Sequence, residues 1–419
     1  MRALLLENIH PVATRVLEAA GFEVTTRKGA LDESELIDEL QGFQLLGIRS
    51  KTELTARVCS SIPGLLGVGV FAIGTNQVDL TSSAAHGVAV FNAPYANTRS
   101  VVELTIAEII ALTRRMTVVD KALHEGIWDK TAEGAHEVRG RVLGIIGYGN
   151  IGSQLSVLAE SMGMRVVFYD TAEKLALGNA RRLESMDELL EAADIVTIHV
   201  DGRPGNAGLF GTRQFARMRP GAMFLNASRG FVVDLGALRE HILSGHVGGA
   251  AIDVFPVEPK SRGDGFESEL RGLPNVILTP HVAGSTEEAQ EAIGQFVAGK
   301  LRDYIRTGST TLSVNLPNLQ LEHTGVGRIA HLHRNVPGVL AAVNQVFAEH
   351  GANIVGQVLA TRGDIGYVVT DISDVTQRGA SAKLQALDST IRLRVLDHLE
   401  RDELPPGPAS AHWASVAAG

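Results

Sequence analysis

The chain has 419 residues, of which 45% are hydrophobic and 20% charged, and a formal net charge of −9. That length accommodates two or three domains, and the acidic balance gives no general attraction to nucleic acid or an anionic membrane, so an anionic ligand needs a local basic pocket. No run of about 18 apolar residues offers a membrane span, and a single cysteine, Cys59, excludes an intramolecular disulfide and a cysteine-built metal site.

In chain order, Leu4–Leu6, Leu45–Ile48, Gly67–Phe71 and Val88–Phe91 read as buried strands, with Pro11–Ala20, Asp32–Leu40 and Thr55–Ser61 as helices between them. Such alternation predicts a parallel sheet covered on both faces. Ser100 and Glu103 read as a capping box that opens a long helix to about Asp120. A second β/α series follows, with strands at Arg141–Ile146, Arg165–Tyr169, Ile195–Val200, Ala222–Asn226, Ala250–Phe255 and Val276–Leu278. Ser285 and Glu288 read as another capping box, starting a helix to about Ile305 that returns the chain to the first domain. One α/β domain is thus expected inside another. Beyond Gly325 the pattern becomes strand Arg328–Leu332, a helix from Pro337 to His350, strands Ile354–Ala360 and Tyr367–Ile372, helix Ala380–Leu387 and strand Ile391–Leu396. That βαββαβ order is ferredoxin-like. The proline-rich end, 400–419, reads as a disordered tail.

Gly147-Tyr148-Gly149-Asn150-Ile151-Gly152 follows a strand and opens a helix, and Asp170 ends the next strand 18 residues beyond Gly152. In that setting the glycines permit a tight turn and close approach of a pyrophosphate, the helix N-terminus faces its charge, and the acid meets the adenosine ribose while repelling a 2′-phosphate. NAD is therefore preferred to NADP. Arg229, Glu258 and His281 each fall at or just beyond the end of a later strand. Singly they are ordinary polar residues. Together, at the ligand-binding edge of one nucleotide domain, they suit oxidation of a 2-hydroxy acid: histidine as base, glutamate as its orienting partner, arginine as a fork for the carboxylate.

These stretches, with Phe168-Tyr169-Asp170, Asn226-Ala227-Ser228-Arg229-Gly230, Ala250–Phe255 and Leu278-Thr279-Pro280-His281, resemble the D-isomer-specific 2-hydroxyacid dehydrogenases. The likeness spans about residues 3–399 and is strongest to the bacterial branch that oxidises D-3-phosphoglycerate and carries a C-terminal ACT domain. It implies a Rossmann-type NAD domain (97–284) inserted in a flavodoxin-like substrate domain (1–96 and 285–325), followed by a ferredoxin-like ACT domain (326–399). It implies Arg229, Glu258 and His281 as catalytic residues. Gly147, Gly149, Asn150, Ile151, Gly152, Asp170, Ala227, Ser228, Arg229, Asp253, His281, Val282, Ala283 and Gly284 would contact NAD, with no metal.

For the substrate, the resemblance points to the loop Gly47-Ile48-Arg49-Ser50-Lys51-Thr52 and to Asn97, and the need of a phosphate dianion for several donors adds Lys28 and Lys130 to Arg49 and Ser50. His333, Asn335 and Asn353 match positions that hold L-serine between paired ACT domains in serine-regulated relatives, and a cytoplasmic homo-oligomer, a tetramer, is expected. The alternatives are another acid, such as 2-hydroxyglutarate, glycerate or lactate, and an NAD-sensing binding protein. Two departures stand out. Val200-Asp201-Gly202-Arg203 lacks the family's usual proline, and the hinges at Gly325-Val326-Gly327 and His281–Ser285 each carry one glycine fewer.

Overall fold

A computed structural model of the chain describes residues 1–259, 263–322, 327–373 and 377–396. The tail from 400, and Gly325 and Val326 of the expected hinge, lie outside these. The chain forms two compact units, Met1–Ala93 with the segment from Gly294 onward, and Pro94–Ile293.

In the first unit, strands β1 (Arg2–Leu5), β2 (Glu23–Thr26), β3 (Leu45–Ile48), β4 (Gly67–Val70) and β5 (Ala89–Asn92) alternate with helices α1 (Pro11–Glu18), α2 (Glu33–Glu39), α3 (Ala56–Ser61) and α4 (Leu80–Ala85). The sheet is parallel in the order β2-β1-β3-β4-β5. β3, β4 and β5 are buried from end to end, which is why they read as unbroken apolar runs. Two elements escape that pattern. β2 is a polar edge strand, Glu-Val-Thr-Thr, without a buried residue, and α4 is a short run of small residues capped by Asp79. Cys59 on α3 is 1% exposed. Because the chain leaves β1 toward β2 and later passes β1 to reach β3, the loops after β1 and β3 face each other at a topological switch point, where such sheets bind ligands.

The second unit opens with α5 (Thr98–Thr113) and α6 (Met116–His124). It continues through β6 (Val142–Ile146), α7 (Asn150–Ser161), β7 (Arg165–Tyr169), β8 (Arg181–Arg182), α8 (Met186–Ala192), β9 (Ile195–Ile198), α9 (Thr212–Arg217), β10 (Ala222–Asn226), α10 (Leu235–Leu243), β11 (Val247–Ile252) and β12 (Val276–Leu278). Its parallel sheet has the order β12-β11-β10-β9-β6-β7-β8, with the switch point between β6 and β9. α11 (Glu287–Thr307) leads out of this unit.

Both expected capping boxes are corrected. α5 starts before Ser100, whose hydroxyl meets that of Thr286 at 2.9 Å while Glu103 pairs with Arg99. The turn that accepts the Thr98 N–H and hydroxyl on Tyr95 O sets this earlier start. The single long helix to Asp120 is broken at Arg115, which adopts φ 52°. At α11 the cap is Thr286, which accepts the Ala289 N–H, and not Ser285.

The C-terminal segment comprises β13 (Gly327–Arg334), α12 (Val339–Glu349), β14 (Ile354–Arg362), β15 (Ile365–Ile372), α13 (Gln377–Gln385) and β16 (Thr390–Leu396). Its antiparallel sheet, β14-β15-β13-β16, is the ferredoxin-like arrangement. Pro337 stands outside α12, whose cap is Gly338 at φ 88°. This sheet belongs to the first unit. Arg392 donates to Pro63 O and His86 O, Arg394 to Tyr304 O and Ile305 O, and Tyr367 to Gly308 O. Arg328, paired through two bonds with the fully buried Asp371, also donates to Thr307 O.

Candidate active site

β6 delivers the glycine loop. Gly147 takes φ 91°, and a Cβ there would lie 2.5 Å from His199 O, so a side chain is excluded by backbone and by space. A Cβ on Gly152 would lie 2.3 Å from Gly147 O, which lets α7 pack directly against the loop. Gly149 caps α7 without a side-chain bond, so the first amides of the helix have no capping acceptor of their own and suit a pyrophosphate. Asp170, at the end of β7, accepts the Tyr148 N–H on Oδ2 at 2.8 Å and the Ala172 N–H on Oδ1 at 2.9 Å. It therefore shapes the glycine loop. Tyr148 itself is buried, stacks on Phe168 at 3.7 Å between centroids and bonds Ser156 through its hydroxyl.

The loops after the three adjacent strands β10, β11 and β12 carry Arg229, Glu258 and His281. Asn226 organises the first of these loops: its Oδ1 accepts from the Ser228 N–H and hydroxyl, and its Nδ2 donates to Arg229 O. Asp253, 1% exposed, organises the third. It accepts the Thr279 hydroxyl and the N–H groups of Val282 and Ala283, while His281 N–H donates to Asp253 O. This scaffold holds His281 at φ 54°, an uncommon backbone for histidine. Its Nδ1 lies 2.8 Å from Glu258 Oε2, and Glu258 Oε1 accepts the Phe255 N–H at 3.1 Å. The hydrogen bond to Glu258 raises the His281 pKa against the opposing effect of burial. Burial pushes Glu258 up, but the bonds from His281 and Phe255 and the charge of Arg229 outweigh it, and its pKa falls below the usual carboxyl value.

The departing loop Val200–Arg203 lies against this site. A Cβ on Gly202 would stand 3.2 Å from Arg229 Nε. Asp201 is bound by Arg203 at 2.5–3.0 Å and by Asn206 at 2.9 Å. Also in the second unit, Asn97 packs against Gly284, where an added Cβ would lie only 2.1 Å from Asn97 Nδ2, and Lys130 sits on an exposed stretch. Glu108, 4% exposed on α5, is a site-proximal acid that helix periodicity hides. Burial and then the charge of Asp253 push its pKa up to about 8.

In the first unit, Lys28, Arg49 and Ser50 come together in a pocket of about 290 Å³ with Glu7, Asn8, Gly29, Ala30 and Lys51. The sequence points to Lys51 only as a member of the 47–52 loop, and does not mark Glu7 as a site residue. Lys51 had a usable signal, two positions after Arg49; Glu7 had none. In the C-terminal sheet His333 is buried, its Nδ1 on Arg334 O and its Nε2 without a partner in the described structure. Asn335 donates to Gly363 O. Asn353 is elsewhere. His333 pairs with Gly366, whereas Ile354, beside Asn353, pairs with Ile372 at the opposite end of β15, about 20 Å away at about 3.4 Å per residue. One chain cannot bring the three side chains onto one small ligand.

A doubly wound sheet with a glycine loop at its switch point, and an arginine, glutamate and histidine at neighbouring strand ends, defines an NAD-dependent dehydrogenase. Residues 106–283 match the D-isomer specific 2-hydroxyacid dehydrogenase, NAD binding domain, and residues 329–392 match the AHAS small subunit-like ACT domain. Similar proteins include the D-3-phosphoglycerate dehydrogenases of Haemophilus influenzae, 48% identical over 94% of this chain and 97% of that one, and of Escherichia coli K12, 47% identical with the same coverage. A solved D-lactate dehydrogenase from Sporolactobacillus sp. matches with a TM-score of 0.65 and 27% identity, over 75% of this chain and 99% of that one. The chain belongs to the D-isomer-specific 2-hydroxyacid dehydrogenase family, in its D-3-phosphoglycerate dehydrogenase branch.

Proposed function

We propose that the chain oxidises D-3-phosphoglycerate to 3-phosphohydroxypyruvate, the first step of L-serine biosynthesis. The observation that carries the chemistry is the His281–Glu258 pair, formed between the loops after β12 and β11, beside the Arg229 loop after β10. Arg229 holds the substrate carboxylate. His281, with Nδ1 committed to Glu258, takes the C2 hydroxyl proton on Nε2, and Glu258 stabilises the imidazolium that results. NAD, when bound, accepts the hydride released from C2. Gly147, Gly149, Asn150, Ile151 and Gly152 would hold its pyrophosphate, Asp170 its adenosine ribose, and Ala227, Ser228, Asp253 and the 281–284 loop its nicotinamide end. Val282 of that loop is 40% exposed and Ala283 4%.

For the substrate, Lys28, Arg49 and Lys51 supply three cations in one pocket, which suits a phosphate better than the methyl of lactate. Asn97 and Ser50 complete the proposed substrate set, and Lys130 belongs to it on charge alone. L-serine is proposed as the effector, held by His333 and Asn335 of one ACT domain and Asn353 of another. That arrangement requires a homo-oligomer, for which a cytoplasmic tetramer is proposed. The exposed Leu123, Ile127 and Trp128 at the end of α6 offer apolar surface for assembly. Turnover assays with NADH and a panel of 2-keto acids test the reading. Preference for 3-phosphohydroxypyruvate supports it; preference for 2-oxoglutarate or pyruvate reassigns the substrate, and absence of any turnover removes the enzyme.

A further inference from the structure

β1 ends at Leu5, and the chain then enters the left-handed region, with φ of 61° at Glu7 and 53° at Asn8. Residues other than glycine keep such a backbone only where their surroundings hold it. Here the Glu7 carboxylate does so. It is buried and accepts four consecutive amides of the loop after β3: Arg49 at 3.2 Å and Thr52 at 2.9 Å on Oε1, Ser50 and Lys51 at 3.0 Å on Oε2. All the acceptor positions of a carboxylate are thereby used. Successive amides converging in this way form a nest of the kind that binds anions. The Glu7 N–H meanwhile donates to Gly29 O at 3.1 Å, which fixes the segment carrying Lys28 on the other wall of the same pocket. Glu7 joins both walls at the switch point of the sheet.

We propose that Glu7 is a built-in anion that positions the phosphate pocket: it fills the amide nest of residues 49–52, so that a substrate phosphate meets the side chains of Lys28, Arg49 and Lys51 and not the backbone. The three cations and one carboxylate lining the pocket leave a net charge of two positive, matched to a phosphate monoester of about −1.5 to −2 at neutral pH. Without Glu7 the loop loses its internal counter-charge, its four amides lose their acceptors, and the cations lose their fixed spacing. The proposal rests on the reading that this pocket takes the substrate's phosphate.

The test is Glu7→Ala in the full-length enzyme, with Glu7→Gln as a near-isosteric companion and Lys28→Ala as a control for the pocket. Glu7→Ala is expected to expose the amides of residues 49–52 to hydrogen exchange. It should raise KM for 3-phosphohydroxypyruvate about 10- to 100-fold with a much smaller change in kcat, since a loosened grip on the distal phosphate removes binding shared by ground and transition state. Added formate, a carboxylate small enough for the emptied nest, should restore both readouts. Glu7→Gln keeps one acceptor oxygen but turns an NH2 group toward the amides, so a smaller KM rise without formate rescue is expected, and this variant carries the test if the alanine variant does not fold. Lys28→Ala should raise KM with the amides still protected and no effect of formate. Unchanged KM and protection in the Glu7 variants, or a defect in Glu7→Ala that formate cannot repair, overturns the role of Glu7. Unchanged KM in Lys28→Ala overturns the pocket reading and the positioning role together.

Discussion

Glu258 and His281 are 23 residues apart in sequence and meet at 2.8 Å through Oε2 and Nδ1. Their loops follow neighbouring strands β11 and β12, so the parallel sheet performs the juxtaposition. The Phe255 N–H steadies the glutamate, and the left-handed turn at His281 presents the imidazole to it. Under the proposed mechanism, removal of the imidazole removes the base while leaving the glycine loop untouched. His281→Ala should therefore lower turnover about 100-fold or more, the usual contribution of general acid–base catalysis, with NAD affinity by fluorescence titration little changed. Near-normal turnover would take His281 out of the mechanism.

The same pair sets the pH dependence. The bond to Glu258 raises the His281 pKa above its ordinary value of about 6.5. Oxidation needs the neutral imidazole, so kcat/KM in that direction should climb as pH rises through the raised pKa. Reduction of the keto acid needs the imidazolium and should decline through the same value. Glu258→Gln removes the cause of the increase and leaves burial, which acts downward, so the midpoint should move to lower pH in both profiles. An unmoved midpoint would mean that Glu258 does not support His281.

The glycine loop, Asp170 and the proposed catalytic trio stand out in the sequence because each is a local signal: a spacing, or a polar residue that interrupts an apolar run at a strand end. Glu7 carries no such signal. Its role depends on a left-handed backbone and on amides 42 to 45 positions away, which no periodicity records. Local signals also mislead, as at Ser100 and Ser285, where a three-residue spacing resembles a cap but the tertiary turn starts each helix elsewhere. β2 and β8 are missed because polar edge strands lack the burial that produces apolar alternation.

Asp170 has two tasks that a pair of substitutions can separate. In the proposed reading its charge repels a 2′-phosphate; in the structure its oxygens hold the Tyr148 and Ala172 amides. Asp170→Ala should weaken NAD and also relax the rejection of NADP. Asp170→Asn retains an acceptor without the charge and should relax NADP rejection with a smaller loss of NAD affinity. KM for both cofactors in both variants checks this; a wild-type preference for NADP would refute the assignment.

Asp201 stands where the family's usual proline is replaced, close enough to Arg229 for that arginine to help lower its pKa, although the Arg203 hydrogen bond is the larger cause. Arg203 keeps Asp201 occupied. Arg203→Ala should free Asp201 to compete with substrate for Arg229 and raise KM for the keto acid about 2- to 5-fold, the scale of exposed ion pairs. Asp201→Ala combined with Arg203→Ala should return KM toward the starting value. A double variant no better than the single one would show that the pair acts only on loop shape.

The proposed regulatory site makes a prediction that depends on where the sheet puts its residues. His333 and Asn335 stand at one end of the C-terminal sheet and Asn353 at the other, so each serine site would need both ends, one from each of two chains. Asn335→Ala alone and Asn353→Ala alone should each abolish inhibition by L-serine, because every site in a homo-oligomer then lacks one amide. When the two variants are co-assembled, a mixed pair contains one site with both lesions and one with neither. Serine inhibition should therefore partly return in the mixture, with calorimetry showing about one site per mixed pair. Allosteric coupling of about 1–3 kcal/mol makes a 5- to 150-fold change in affinity the scale to look for. No recovery on mixing would rule out a shared site. Serine binding without inhibition would place the fault in the coupling, for which the buried Arg328–Asp371 pair that ties β13 to Thr307 O is one of the links, beside those of Tyr367, Arg392 and Arg394.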